Sequence, residues 1–118
     1  MREVCFLIGR GGAILYADAS DSPIALPDAR SRWEAIWAHR AELEVIAHSH
    51  PVGPDAFSAE DLSTMRAIDS ALGTEMRYMV IAPAGCVSRL GSSEVKESPE
   101  PWWAALLRLS SGMGTEGS

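Results

Sequence analysis

The chain has 118 residues, 47% of them apolar, and its 10 Lys+Arg against 16 Asp+Glu give a formal net charge of −6. That size fits one small domain with its own core. The acidic balance and the lack of a basic cluster argue against a surface that neutralises nucleic-acid phosphates and suit a partner with basic patches. No apolar run reaches the roughly 18 residues that a membrane span needs. The short apolar run Val4 to Ile8, just after Met1-Arg2-Glu3, is too brief for a signal-peptide core, so a cytoplasmic protein is expected.

Val4 to Ile8 reads as a buried strand ended by Gly9, and Arg10-Gly11-Gly12 as a turn. Ala13 to Ala17 then completes a hairpin. The glycines are not a phosphate loop, because no helix follows them. A loop over 18–27 leads to Asp28 as a helix N-cap and a helix from Ala29 to Ala41, with Trp33, Ile36, Trp37 and Arg40 on one face. His39 on this helix has no second ligand at metal spacing and is expected at the surface. Leu43 to His48 is a strand, broken by Pro51, Gly53 and Pro54. Ser58-x-x-Asp61 opens a helix to Leu72, with Leu62, Met65, Ile68 and Leu72 as its buried stripe and Gly73 beyond its end. Arg77 to Ala82 and Cys86 to Leu90 are strands joined through Pro83-Ala84-Gly85. Residues 91–101 are polar, Pro101 to Leu109 forms a last helix, and the Ser/Gly-rich stretch 110–118 is expected to be a disordered tail after a domain spanning 1–109. Cys5 and Cys86, without CxxC spacing, are expected as small buried hydrophobes.

The chemistry concentrates at His48-Ser49-His50-Pro51 and Asp61. On a strand, residues two apart share a face, so both imidazoles can project together. Asp61, on the first turn of the next helix, supplies an oxygen. Two nitrogens and one oxygen suit zinc with a fourth position left open, as in catalytic zinc sites. Hydrolysis also needs a base and a donor to the oxyanion. Ser58 is the nearest hydroxyl in sequence, and Glu3, Glu34, Glu42, Glu44 and Glu60 are candidate bases.

His-x-His-Pro, with seven residues between the second His and the Ser of Ser-x-x-Asp, resembles the JAMM motif of the MPN-plus metalloproteases. Glu3-Val4-Cys5-Phe6-Leu7-Ile8-Gly9 is similar to the family's glutamate-led strand. The likeness covers about residues 3–92. It implies an α/β fold of the α+β, cytidine-deaminase-like kind, with a curved mixed sheet flanked by two to three helices. It also implies a single catalytic Zn2+ held by His48, His50 and Asp61, with Glu3 as general base and Ser58 at the oxyanion. The implied activity is cleavage after the C-terminus of a ubiquitin-like protein, in conjugates or precursors, with conjugation-pathway enzymes as further partners. A sulfur-carrier peptidase, a RadC-like repair-associated protein and a non-catalytic MPN interaction module are the rival readings. The family usually carries a helix ahead of its glutamate, and here the last helix or a partner is expected to take that place.

Overall fold

The computed structural model describes residues 1–113. Six strands form one mixed sheet in the order β2-β1-β3-β4-β5-β6. They are β1 (Val4–Gly9), β2 (Ile14–Ala19), β3 (Leu43–Ser49), β4 (Arg77–Ala82), β5 (Gly85–Leu90) and β6 (Ser93–Lys96). Three helices, α1 (Arg30–Ala38), α2 (Ala59–Leu72) and α3 (Trp102–Ser111), complete the α+β architecture. β1 runs antiparallel to β2 and β3, whereas β3 and β4 are parallel and joined through α2.

β1 is buried at every position because the sheet is covered on both sides. Val4, Phe6 and Ile8 join Trp103, Ala104 and Leu107 of α3 in one cluster. Cys5 and Leu7 point the other way and join Ile36 of α1 with Met65 and Ile68 of α2. The two thiols thus lie on opposite faces, both buried and free, as small apolar side chains. Leu7 is fully buried. Leu7→Ala is expected to cost about 2–5 kcal/mol of stability, measured by urea denaturation, because α1 and α2 cannot close fully over the void.

Several boundaries differ from the sequence expectation. α1 starts after an Ala29 cap that makes no side-chain bond, so Asp28 is not the N-cap. The first turn is instead tied back by Arg32, whose Nη1 donates to the Pro27 carbonyl at 3.0 Å and whose Nε donates to Asp18. α1 also ends at Ala38 rather than Ala41, because the chain turns so that Leu43 can enter β3. Its expected apolar face is split: Ile36 is buried, but Trp37 is exposed, with the Arg40 guanidinium stacked 3.9 Å from its ring centroid. His39 is partly exposed, near Glu42.

β2 runs on to Ala19, and residues 93–96, within the polar stretch 91–101, form a strand, β6, that the sequence did not suggest. Every β6 residue is exposed, so this edge strand carries no apolar alternation to betray it. α3 continues through Ser111, so Ser110 and Ser111 belong to a helix and not to a tail. The remainder of the expected tail, 114–118, lies outside the described residues. None of the described helices is long and apolar enough to cross a membrane.

Candidate metal centre

Alternation along β3 decides which side chains face the site. Ile46 packs toward α1 and α2, so His48 points the same way, while Ala47 faces α3. The strand stops at Ser49, and the His50 N–H crosses to the Ile81 carbonyl at 2.8 Å. His50 Nδ1 lies 3.1 Å from the Pro54 carbonyl, the main-chain contact that the Pro/Gly loop provides by folding back. If Nδ1 donates there, Nε2 of the neutral ring keeps its lone pair for a ligand, as an outer hydrogen bond does for metal-binding histidines.

Asp61 arrives at the third position of α2. Ser58 and Asp61 form a reciprocal capping box: the Asp61 N–H donates to Ser58 Oγ at 3.1 Å, and the Ser58 N–H donates to Asp61 Oδ2 at 2.8 Å. The cap therefore orients the same oxygen that faces the imidazoles. Burial alone would raise the Asp61 carboxyl. The hydrogen bonds from His48 and His50 outweigh it and hold the group well below the usual carboxylate range. For His50, burial opposes the charged form, but the Asp61 bond raises its pKa above the ordinary value.

The three candidate ligand atoms form a nearly equilateral triangle. His48 Nε2 and His50 Nε2 are 3.0 Å apart, and Asp61 Oδ2 lies 3.3 and 3.2 Å from them. An ion bound tetrahedrally at zinc–nitrogen and zinc–oxygen lengths of about 2.0–2.1 Å would hold its ligands ~3.3 Å from one another. The donor set thus fits one face of a zinc tetrahedron, and it is a His-His-Asp group that can hold a metal. Both Cys5 and the triangle face the same cleft, but burial pushes the Cys5 thiol up to about 12, so it stays protonated.

Glu3 reaches the site through register. Cys5 pairs with His48 in the antiparallel β1–β3 ladder, so two residues further along each strand Glu3 comes opposite His50, on the same face. Glu3 is 7% exposed and lines the cleft with both histidines, Ser58 and Asp61. Burial raises its carboxyl pKa, and the nearby His48 and His50 moderate the rise. All five residues expected at the site are therefore gathered in one cleft of about 510 Å³.

The cleft begins at these polar groups and runs between α2 and the loop that joins β2 to α1, with Ile24 and Val52 exposed along it. The chain also matches the family of prokaryotic homologues of the JAB domain over residues 3–102. It belongs to that family. The matched span begins at Glu3 and takes in the whole sheet, α1 and α2, leaving nearly all of α3 beyond it. No curated protein matches the chain. Membership accords with an isopeptidase or with an MPN-type role, since JAB domains include peptidases.

Two contributors to the site were not foreseen. Ser49 is fully buried, and its Oγ accepts the Val4 N–H at 2.9 Å. Its only sequence signal is a hydroxyl between two ligand histidines. Arg32 closes the cleft wall, pairing with Asp18 at 2.9 Å while both side chains are largely buried. Asp18 and Arg32 lie 14 residues apart across a loop, and no local pattern hinted that they meet.

Proposed function

We propose that this JAB-domain protein is a zinc-dependent peptidase that cleaves the bond after the C-terminal tail of a ubiquitin-like protein, in conjugates or in a precursor. The observation that carries this reading is the tetrahedral-face spacing of His48, His50 and Asp61 with the buried Glu3 carboxylate in the same cleft. In this reading His48, His50 and Asp61 would hold one Zn2+, which when bound would acidify a water and polarise the scissile carbonyl. Glu3 accepts the water's proton on its carboxylate and delivers it to the leaving amine. Its raised pKa brings that carboxylate closer to the working pH than an exposed glutamate. Ser58 Oγ uses its lone pair for the Asp61 N–H, which leaves its own O–H to donate to the oxyanion. The apolar wall from Ile24 to Met65 suits an extended tail that reaches a scissile bond at the metal. We place the protein in the cytoplasm, where its two buried thiols stay reduced.

The test is a ubiquitin-like protein fused through its C-terminal tail to a reporter, incubated with the protein with and without chelator. Cleavage directly after the tail, lost in chelator, is expected. Cleavage that persists in chelator and in Glu3→Ala overturns the proposal. Release of one residue from a free carrier, without cleavage of conjugates, would favour the sulfur-carrier reading. A zinc-loaded protein that cleaves no tail would be a non-catalytic module.

A further inference from the structure

Glu3 carries a burden that the metal ligands do not. His50 and Asp61 are each held by an outer hydrogen bond and His48 by its two neighbours in the triangle, whereas among the described residues no side chain donates to the Glu3 carboxylate. Its position therefore rests on its backbone. The Arg2 N–H donates to the Ser111 carbonyl at 3.0 Å, so the end of α3 steadies the residue just before Glu3. The Glu3 N–H donates to the Ser22 carbonyl at 2.8 Å, and the Glu3 carbonyl accepts from the Ser20 N–H at 2.9 Å. Both of these bonds point toward β2 and leave the other side open.

On that other side the next residue is held by a hydroxyl. The Val4 N–H would ordinarily find a carbonyl on β3, but the β1–β3 ladder begins one residue later, at Cys5 and His48. Beyond it the His50 N–H is directed to the Ile81 carbonyl on β4 and not toward β1. Ser49 Oγ takes the orphaned Val4 N–H at 2.9 Å in a buried setting. A buried N–H left without a partner costs free energy, so this bond is hard to replace.

We propose that Ser49 is the positioning residue for Glu3, coupling the base to the two histidines that flank it in sequence. This rests on the peptidase reading above, in which Glu3 moves the proton. Three consecutive residues on β3 then divide the work by alternation: His48 and His50 face the metal, and Ser49 faces the other way and pins the strand that carries the base. Of the ties at Glu3 and Val4, this is the one made by a side chain, so it is the one a substitution can remove.

The experiment compares Ser49→Ala, Ser49→Thr and Glu3→Gln, singly and as Ser49→Ala/Glu3→Gln, in the zinc-loaded full chain with the fusion substrate. A displacement of about 1 Å at a reacting group costs about 10²-fold. Ser49→Ala is expected to lose kcat by about that factor with KM and zinc affinity unchanged. It should add no further loss to Glu3→Gln, and the Glu3 and Val4 amides should exchange faster with deuterium. Ser49→Thr, which keeps the acceptor oxygen, should recover most of kcat. Where Ser49→Ala is too unstable to assay, Ser49→Cys keeps the volume and weakens the acceptor. The proposal is overturned if Ser49→Ala retains wild-type kcat, loses zinc along with activity, or lowers the Glu3→Gln residual rate by the same factor as the wild-type rate. A zinc-loaded wild type that cleaves nothing would sink the peptidase reading alone; unchanged amide exchange at Glu3 and Val4 would then overturn the role of Ser49 independently.

Discussion

Glu3→Gln is expected to retain one zinc ion per chain and to lose roughly 10²- to 10⁴-fold in kcat, the usual contribution of a positioned proton acceptor. The substitution keeps size and hydrogen-bonding shape and removes only the ability to accept and return a proton. The site predicts this separation of binding from turnover. Glu3 lies outside the triangle of candidate ligand atoms, and among the described residues its carboxylate has no ion pair whose loss would unsettle the fold. Its burial at 7% exposure means that the amide is also tolerated better than a charge would be. Zinc content measured by atomic absorption, beside the rate of fusion cleavage, checks both halves. Equal loss of metal and activity would make Glu3 a ligand; equal rates would make another carboxylate the base. Glu60 is then the first to examine, since it lines the same cleft from α2.

The residues that make this prediction were unequally legible in the sequence. His48, His50, Ser58 and Asp61 lie within one strand, one loop and one helical turn, so strand alternation and the capping-box spacing were enough to bring them together. Glu3 could be nominated from the residues only as one of several carboxylates. What selects it is the Cys5–His48 register, a pairing between segments more than forty residues apart in sequence that no local pattern encodes. The resemblance to the JAMM motif supplied that selection, and the register brings Glu3 into the cleft beside the histidines.

The same contrast runs through the fold. β1 and β4 were readable because a strand covered on both faces is a nearly continuous apolar run, and β3 because it alternates in part. β6 is exposed throughout and owes its strand to pairing with β5 alone. α1 was displaced from its expected cap because Arg32 spends its guanidinium on Asp18 and Pro27, a tertiary choice that overrides the local preference for Asp28. α3 packs against the start of β1. Its Ser111 carbonyl holds Arg2, and its Trp103 and Leu107 pack under Val4 and Phe6.

Asp61→Asn isolates the second large effect, because in the proposed reading Asp61 does two jobs with one carboxylate, capping α2 and holding the metal. An asparagine oxygen can still accept the Ser58 N–H, so the cap on α2 survives, whereas the anionic ligand is gone. Zinc affinity is expected to fall by more than the roughly 10–100-fold that loss of an outer partner costs, and cleavage falls with it. The metal-free proteins should differ in a pH-dependent way. In the folded chain the Asp61 bond raises the His50 pKa. The stabilisation from charged His50 is thus fully present below the unfolded value of about 6.5 and is lost as pH rises through the folded value. Metal-free wild type should therefore be more stable than Asp61→Asn near pH 6, with the gap closing toward pH 8. Zinc acts in the opposite sense, since it needs neutral imidazoles and so binds more tightly as pH rises over the same interval. Urea denaturation at the two pH values, with chelator and with zinc, reads both trends. A wild-type advantage that grows with pH in the metal-free state would mean that Asp61 does not hold the histidines as a charged partner. The triangle would then owe its shape to the backbone alone.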